Sequence, residues 1–383
     1  MGSRWPWGFL LSALALVGCT VTKPVVKIGL VAPFEGVYRD VGYDALYAVK
    51  LALREWNGAG GVEGYMVELV ALDDGGDPDQ APAQASELIL DPLVMGAIGH
   101  FDDQTTLAAA PVYQEGGVAL IAPAITAGGL EDYPSVFRLG ASEEALGRAA
   151  ALFAWEELGA RRLAILSLSL SLQDPEGQDP VPQVPKGSRG RSRGMGDEGS
   201  GLTQAFVVAA EDLGATVLSY QDVDDLEKGE GFDLVFFGGR SWEGAMLLLR
   251  LRGAGIEAPL MGGFNRPYLA RWAGEAAEGT LYVTSALLVD DPRFLAGYRE
   301  LAGTDPGPQA ALAYDAAHLL LAALEKAIEN DGRPTREGVL AALHQAYQGL
   351  TGSIVFDEKG EQIDPPIEVY MIDESGYPGK RLK

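Results

Sequence analysis

The chain has few cysteines, few basic residues and no long apolar run in its body. A single cysteine among 383 residues excludes an internal disulfide framework and a cysteine-rich zinc site. The 29 basic and 54 acidic residues give a net charge of -25, which disfavours nucleic acid and anionic membrane surfaces as partners. With 47% hydrophobic and 22% charged residues, a chain of this length predicts a folded globular protein with room for two domains.

The one cysteine, Cys19, ends an N-terminal apolar stretch. Arg4 precedes an apolar run over 5–15, which is too short for a permanent membrane span and leads to small residues, as in signal peptides. Residues 16–19 (LVGC) resemble the bacterial lipobox, whose cysteine becomes the lipidated first residue. We therefore expect a signal peptide over 1–18, a lipidated tether over 19–24 and an extracytoplasmic, membrane-anchored protein. The alternative is a buried N-terminal segment with an incidental cysteine.

Strand-like and helix-like segments alternate along the rest of the chain, which is typical of doubly wound parallel α/β sheets. A first series begins with a strand at 25–31 and a helix at 44–56. The pattern starts again with a helix at 143–157 and closes with helices at 308–329 and 335–347 followed by short strands. The sequence therefore predicts two α/β units.

The segment 173–198 interrupts this alternation. It is rich in Pro, Gly and Ser and carries Arg189, Arg191 and Arg193. Such a composition cannot bury a core, so we expect a flexible surface insertion. Because the whole chain is acidic, this short basic run favours a solvated loop over a nucleic-acid tail.

Several short strings point to one family by their order and spacing. They are 27–33 (KIGLVAP), 59–64 (AGGVEG), 73–78 (DDGGDP), 98–100 (IGH), 107–113 (LAAAPVY), 236–239 (FFGG), 274–279 (GEAAEG), 312–316 (LAYDA) and 351–357 (TGSIVFD). With them, the chain resembles the leucine/isoleucine/valine-binding proteins, the receptors of ABC importers for branched-chain amino acids. The resemblance runs from about residue 25 to the C-terminus.

This resemblance implies the type I periplasmic binding protein fold, in which two Rossmann-like lobes are joined by three crossover segments and hold a solute between them. Lobe 1 would comprise 25–142 and 287–366, and lobe 2 would comprise 143–286 and 367–383. Elementary physics agrees, since open α/β sheets bind ligands at the carboxyl ends of their strands. Hinge closure of two lobes would then bury the solute.

The resemblance also places the candidate ligand contacts. They are Asp103, Gln104, Ala124, Thr126, Glu198, Arg240, Phe264 and Tyr38, with Glu35 beside Tyr38 in the first β-α loop. Members that bind α-amino acids hold the carboxylate with a serine, where this chain has Asp103, and with a threonine, which it keeps as Thr126. They hold the ammonium with an acidic residue, where it has Phe264, and cover the ligand with tyrosines, where it has Arg240 and Glu198.

Each replacement also has a structural interpretation. Asp103 could cap the helix that follows it, and Phe264 could be a core residue. Arg240 could be a solvated charge and Glu198 the end of a flexible loop. As ligand contacts, however, these residues fit an α-amino acid poorly, because its carboxylate would meet the like charge of Asp103. We therefore expect a solute other than leucine or valine, with a hydroxyl, amide or cationic group toward Asp103.

The sequence lacks the residue patterns that would indicate an enzyme. The three histidines are far apart in sequence, the cysteine is assigned to the anchor, and the glycine-rich turns lack dinucleotide-binding spacing. We expect no cofactor and no metal, a monomer, and small-molecule solute, permease and ATPase as partners, with the lipid anchor as the only membrane contact. The alternative is a lipoprotein that presents its ligand to a separate sensor.

Overall fold

The computed structural model describes residues 23–36, 38–166, 200–226, 231–264, 267–286 and 288–383. The predicted lipidation site Cys19 and the predicted insertion 173–198 lie outside these residues, as does Glu198. No helix of the described part of the chain is both long and apolar enough to cross a membrane.

Strands and helices alternate as the sequence predicts. The strands are β1 (Val25–Ala32), β2 (Met66–Asp73), β3 (Val94–Ile98), β4 (Ala119–Ala122), β5 (Val136–Arg138), β6 (Arg162–Leu166), β7 (Thr216–Tyr220), β8 (Leu234–Phe237), β9 (Leu260–Gly262), β10 (Leu281–Thr284), β11 (Tyr347–Gln348), β12 (Ser353–Ile354), β13 (Glu368–Asp373) and β14 (Gly376–Arg381). The helices are α1 (Arg39–Gly58), α2 (Ala81–Leu90), α3 (Asp103–Gly116), α4 (Glu143–Glu156), α5 (Ser200–Asp212), α6 (Ser241–Gly253), α7 (Tyr268–Ala273), α8 (Pro292–Ala302), α9 (Pro308–Asp331) and α10 (Arg336–Ala342).

Lobe 1 is built on a parallel sheet of the order β2-β1-β3-β4-β5. Its strands are apolar almost throughout because helices cover both faces. Ile28 and Leu30 pack on one face in a cluster that includes α1 and α9 residues. Val31 and Leu120 pack on the other face with residues of α2 and α3. This alternation within β1 fixes which side of the sheet each helix covers.

Lobe 2 is built on a sheet of the order β14-β13-β10-β9-β8-β6-β7. Its β6 to β10 part is parallel, and Ile165 and Phe236 pack on one face in a cluster that includes α4 and α5 residues. Val235 and Phe237 pack on the other face with residues of α6 and α7. The predicted parallel arrangement is confirmed for these strands, and an antiparallel edge of β13 and β14 is added to it.

Three segments connect the two lobes: the first, 139–142, leads from β5 to α4, the second from β10 to α8, and the third, 355–367, from β12 to β13. They are hydrogen bonded to one another. The backbone N–H of Gly140 donates to Gln362 Oε1 at 2.8 Å, and the N–H of Ala141 donates to Ser285 Oγ at 3.0 Å. We call these contacts the hinge contacts, because a rotation of one lobe against the other must change the backbone angles of these segments.

Two sequence-based expectations need correction. The helix predicted at 335–347 ends at Ala342, and Tyr347 instead pairs with Ile354 between β11 and β12. The first helix begins at Arg39 rather than at residue 44. In other respects the two α/β lobes and their three connecting segments agree with the type I periplasmic binding protein fold that the resemblance implies.

Candidate functional site

The carboxyl ends of β1, β3 and β4 lie at one edge of the lobe 1 sheet, because the three strands are parallel neighbours. Tyr38, Asp103 and Thr126 follow these strands in that order. From lobe 2, the ring of Tyr268 meets the ring of Tyr38 edge-on, with centroids 5.9 Å apart. The two lobes therefore touch at the edge where the sequence predicts the solute.

Asp103 and Thr126 are brought into direct contact. Asp103 Oδ1 accepts hydrogen bonds from the backbone N–H of Thr126 at 2.6 Å and of Ala127 at 3.1 Å. The hydroxyl of Thr126 lies 3.4 Å from Asp103 Oδ2. Both residues are partly exposed. The carboxylate thus lies in a small concave group of donors of the kind that binds anions in proteins.

Asp103 is not the cap of α3. Asp102 is the N-cap residue, and its Oδ1 accepts from the backbone N–H of Thr105 at 2.9 Å. Its second carboxylate oxygen accepts from the hydroxyl of Thr105 at 2.7 Å. The capping interpretation of Asp103 is therefore wrong, and its side chain is available for the contact with the loop after β4.

Arg138, which the sequence analysis missed, holds the same loop from inside the protein. Its side chain is almost completely buried, and its guanidinium donates to the carbonyl oxygens of Ile125 at 2.8 Å and Ala127 at 2.6 Å. It also donates to Glu361 Oε2 at 2.6 Å, in the third connecting segment. The sequence offered one signal of this role: Arg138 ends the apolar strand string Val-Phe-Arg, and an arginine that is buried needs partners for its charge.

The loop after β4 is also bonded to lobe 2. The carbonyl oxygen of Thr126 accepts from the backbone N–H of Glu143, the first residue of α4, at 2.8 Å. We call residues 125–127 the site loop. Its polar groups are bonded to Asp103, Arg138 and Glu143, so the loop joins the site to the connecting segments and to lobe 2.

Asp73, Asp74 and His100 support the neighbouring strand ends. Asp73 Oδ1 accepts from the backbone N–H of Phe34 at 2.8 Å. Asp74 and His100 are fully buried, and Asp74 Oδ2 lies 2.6 Å from His100 Nδ1. Burial, together with the nearby charge of Asp74, raises the pKa of Tyr113, whose hydroxyl lies 3.4 Å from His100 Nε2. The adjacent carboxylates thus point to different partners and do not form an acid–base pair.

In lobe 2, Arg240 precedes α6. Its backbone N–H donates to Glu243 Oε2 at 2.7 Å, and burial raises the pKa of Glu243. The arginine is partly exposed at the carboxyl end of β8, on the lobe 2 side of the predicted solute position. This position is compatible with a solute contact.

Phe264 lies in the core of lobe 2. Its side chain is fully buried, and its ring tip lies against Gly244 of α6 and Gly262 of β9, where a Cβ would come within 3 Å of the ring. The ring of Phe237 lies 6.4 Å away. This placement favours the packing interpretation of Phe264. The two glycines were the signal in the sequence, because they leave room for a large ring between helix and strand.

The remaining candidates are more peripheral. Gln104 and Glu35 are exposed, while Ala124 is partly buried beside the site loop. Glu198 lies outside the described residues. No group of three or more His, Cys, Asp or Glu side chains within the described ranges is placed to hold a metal ion.

The sequence and the structure are similar to those of known solute-binding proteins. The sequence is 28% identical to the leucine-, isoleucine-, valine-, threonine- and alanine-binding protein of Pseudomonas aeruginosa over 371 residues, covering 94% of each chain. The structure is similar to the leucine-binding protein of Thermotoga maritima, with a TM-score of 0.72 and 25% identity over 92% of this chain and 97% of that one.

The same fold also occurs with other ligands. A solute-binding protein of an ABC transporter from Rhodopseudomonas palustris, solved with 3,4-dihydroxybenzoic acid, has a TM-score of 0.70 at 20% identity, with 93% of this chain and 95% of that chain covered. The resemblance to leucine/isoleucine/valine-binding proteins is confirmed. The profile described as periplasmic binding protein matches residues 25–188 and 197–377. The chain therefore belongs to the periplasmic binding protein family.

Proposed function

We propose that this protein is an extracytoplasmic lipoprotein that binds a small polar solute between its lobes and delivers it to an ABC importer of the branched-chain amino-acid type. Its relatives are substrate-binding proteins of such transporters. The observation that supports the proposal most is the contact of Tyr38 with Tyr268 across the two strand-end edges. Side chains from both lobes can then enclose a solute when the lobes close.

The solute differs from leucine and valine in this proposal. The Pseudomonas aeruginosa relative is named for binding leucine, isoleucine, valine, threonine and alanine. In this chain, Asp103 brings a negative charge to the lobe 1 wall and Arg240 a positive charge to the lobe 2 side. A zwitterionic amino acid would have to place its carboxylate away from Asp103. A solute with an amide, hydroxyl or cationic group toward Asp103 fits this arrangement better.

A thermal-shift screen of the chain lacking residues 1–19 tests the proposal. Amino acids, their amides, polyols, nucleobases and polyamines are added separately, and the unfolding temperature is measured. A true solute at 100-fold excess over its dissociation constant adds about 2.7 kcal/mol to the free energy of unfolding. A panel in which no solute raises the unfolding temperature in a saturable way contradicts the receptor role, and micromolar binding of leucine or valine contradicts the changed specificity.

The proposed anchor at Cys19 is tested with the full-length chain in a bacterial host. We expect the wild type in the membrane fraction with the mass of a lipidated N-terminal cysteine, and the Cys19→Ala variant without that mass increase. An unmodified wild-type Cys19 contradicts the anchor while leaving the solute-binding role intact.

A further inference from the structure

Asp103 occupies a group of donors that faces the solute position. Thr126 and Ala127 direct two consecutive backbone N–H groups at the same oxygen, Oδ1, at 2.6 and 3.1 Å. The hydroxyl of Thr126 completes the group, 3.4 Å from Oδ2. We call these three donors the carboxylate seat. Two convergent N–H groups and a hydroxyl match the two oxygens of a carboxylate.

The seat is rigid, because the site loop is fixed from its other side. Arg138 binds the carbonyl oxygens of Ile125 and Ala127 and is paired with Glu361. The backbone N–H of Glu143 binds the carbonyl oxygen of Thr126. The site loop is therefore held by hydrogen bonds of its carbonyl oxygens that do not involve Asp103.

We infer that Asp103 fills this seat with the protein's own carboxylate and thereby selects solutes that have no free carboxylate at that end. The inference rests on the proposed solute-binding function and names the class of solute. A carboxylate on a solute would have to displace Asp103 from its donors or lie beside its negative charge, and both are unfavourable in a partly desolvated site. An amide, hydroxyl or amine can instead donate to the carboxylate of Asp103.

The substitution Asp103→Ala empties the seat, and L-leucine with L-leucinamide is the matched probe pair. The two probes share a side chain and an ammonium group and differ only in carboxylate against carboxamide. The control variant is Glu115→Ala, which removes an equal charge from an exposed position of the same helix. Should Asp103→Ala fail to fold, Asp103→Ser serves as the second variant, because it also removes the carboxylate and leaves Asp102 as the cap.

Isothermal titration of the three proteins measures the effect. We expect Asp103→Ala to bind leucine at least about tenfold more tightly than the wild type or Glu115→Ala does, with no such gain for leucinamide. We also expect sodium formate to raise the unfolding temperature of Asp103→Ala more than that of the other two proteins, because formate can replace the lost carboxylate.

Three results overturn the inference. They are tight leucine binding by the wild type, an equal gain for leucine and leucinamide in Asp103→Ala, and a folded Asp103→Ala or Asp103→Ser that gains neither leucine affinity nor formate stabilisation. Failure of the proposed function is a separate result, because it shows as a wild-type protein that no solute of the screen stabilises.

Discussion

Arg138 connects the solute site to the connecting segments through one buried side chain. Only 2% of this side chain is exposed, so its charge depends on the carbonyl oxygens of the site loop and on Glu361 for partners. The exposed ion pair of Arg54 with Glu300, 2.7 Å apart on lobe 1, has the same chemistry but remains hydrated. Comparing the two ion pairs therefore shows how much of their contribution to stability depends on burial.

Replacing Arg138 with methionine leaves Glu361 and two carbonyl oxygens without their donor. We expect the free energy of unfolding to fall by about 1–3 kcal/mol, because carbonyl oxygens of the site loop lose their donor while Glu361 is 31% exposed and can be hydrated. The control Arg54→Met changes it by less than about 1 kcal/mol. Urea unfolding of both variants measures the difference, and equal losses would show that Arg138 has no special role.

Burial and the hydrogen bond from Trp56 favour the neutral imidazole of His318. Trp56 Nε1–H donates to His318 Nδ1 at 3.0 Å, so this nitrogen carries no proton. His318 Nε2 then donates to Glu55 Oε2 at 3.1 Å, an oxygen that also accepts from the hydroxyl of Tyr314 at 2.6 Å. Burial lowers the pKa of His318 below its usual value of 6.5, although Glu55 opposes the shift.

This lowered pKa predicts a pH dependence of stability. The unfolded chain binds a proton at His318 from its usual pKa downward, whereas the folded chain binds it only at lower pH. Stability contributed by neutral His318 is therefore present above pH 6.5 and decreases as the pH falls below it, by at most about 1.4 kcal/mol per pH unit. Glutamine can accept from Trp56 and donate to Glu55 without titrating. We expect His318→Gln to reduce the loss of unfolding free energy between pH 7 and pH 5, and an unchanged loss would contradict this assignment.

At the scale of elements, the connecting segment before α4 needs a glycine. Gly140 has a φ of 126°, a conformation that L side chains rarely adopt, and a Cβ there would lie 2.8 Å from Ser285 Oγ in the second segment. Its N–H donates to Gln362 in the third segment. One small residue thus lets all three segments pack together at the hinge contacts.

The substitution Gly140→Ala should lower the free energy of unfolding by about 1–3 kcal/mol through backbone strain and crowding. A matched control is Gly58→Ala at the end of α1, where a Cβ meets no atom within 4 Å. We expect Gly58→Ala to leave stability unchanged or raise it by up to about 1 kcal/mol. Denaturant unfolding of both variants decides the matter, and a neutral Gly140→Ala would argue against a crowded hinge.

The sequence predicts the elements well where hydrophobic periodicity is uninterrupted. It fails at 343–347, where apolar residues continue the helical spacing but Tyr347 pairs with Ile354. Helix α8 was missed, although Asp291 caps it and Pro292 is its first residue. The partners of Asp103 could not be predicted, because Thr126 and Ala127 lie 23 and 24 residues further along the chain. Sequence reasoning places residues on strand ends but does not show which donors they meet.

In the whole molecule, the two lobes are joined by the three connecting segments and touch where the ring of Tyr38 meets that of Tyr268. Each lobe has its own apolar clusters on both faces of its sheet, so each can move as a rigid body. The site loop is bonded to Arg138 in lobe 1 and to Glu143 in lobe 2. A solute bound against this loop would therefore favour the closed arrangement of the lobes.

Small-angle X-ray scattering measures the closure of the two lobes on a solute. The radius of gyration of the chain lacking residues 1–19 is measured without solute and with a saturating concentration of the compound that gives the largest thermal shift. We expect a smaller radius of gyration with solute, reached with the same concentration dependence as binding, because the lobes close. A solute that binds saturably while the radius of gyration stays constant would contradict the claim that this protein works by closing two lobes on its ligand.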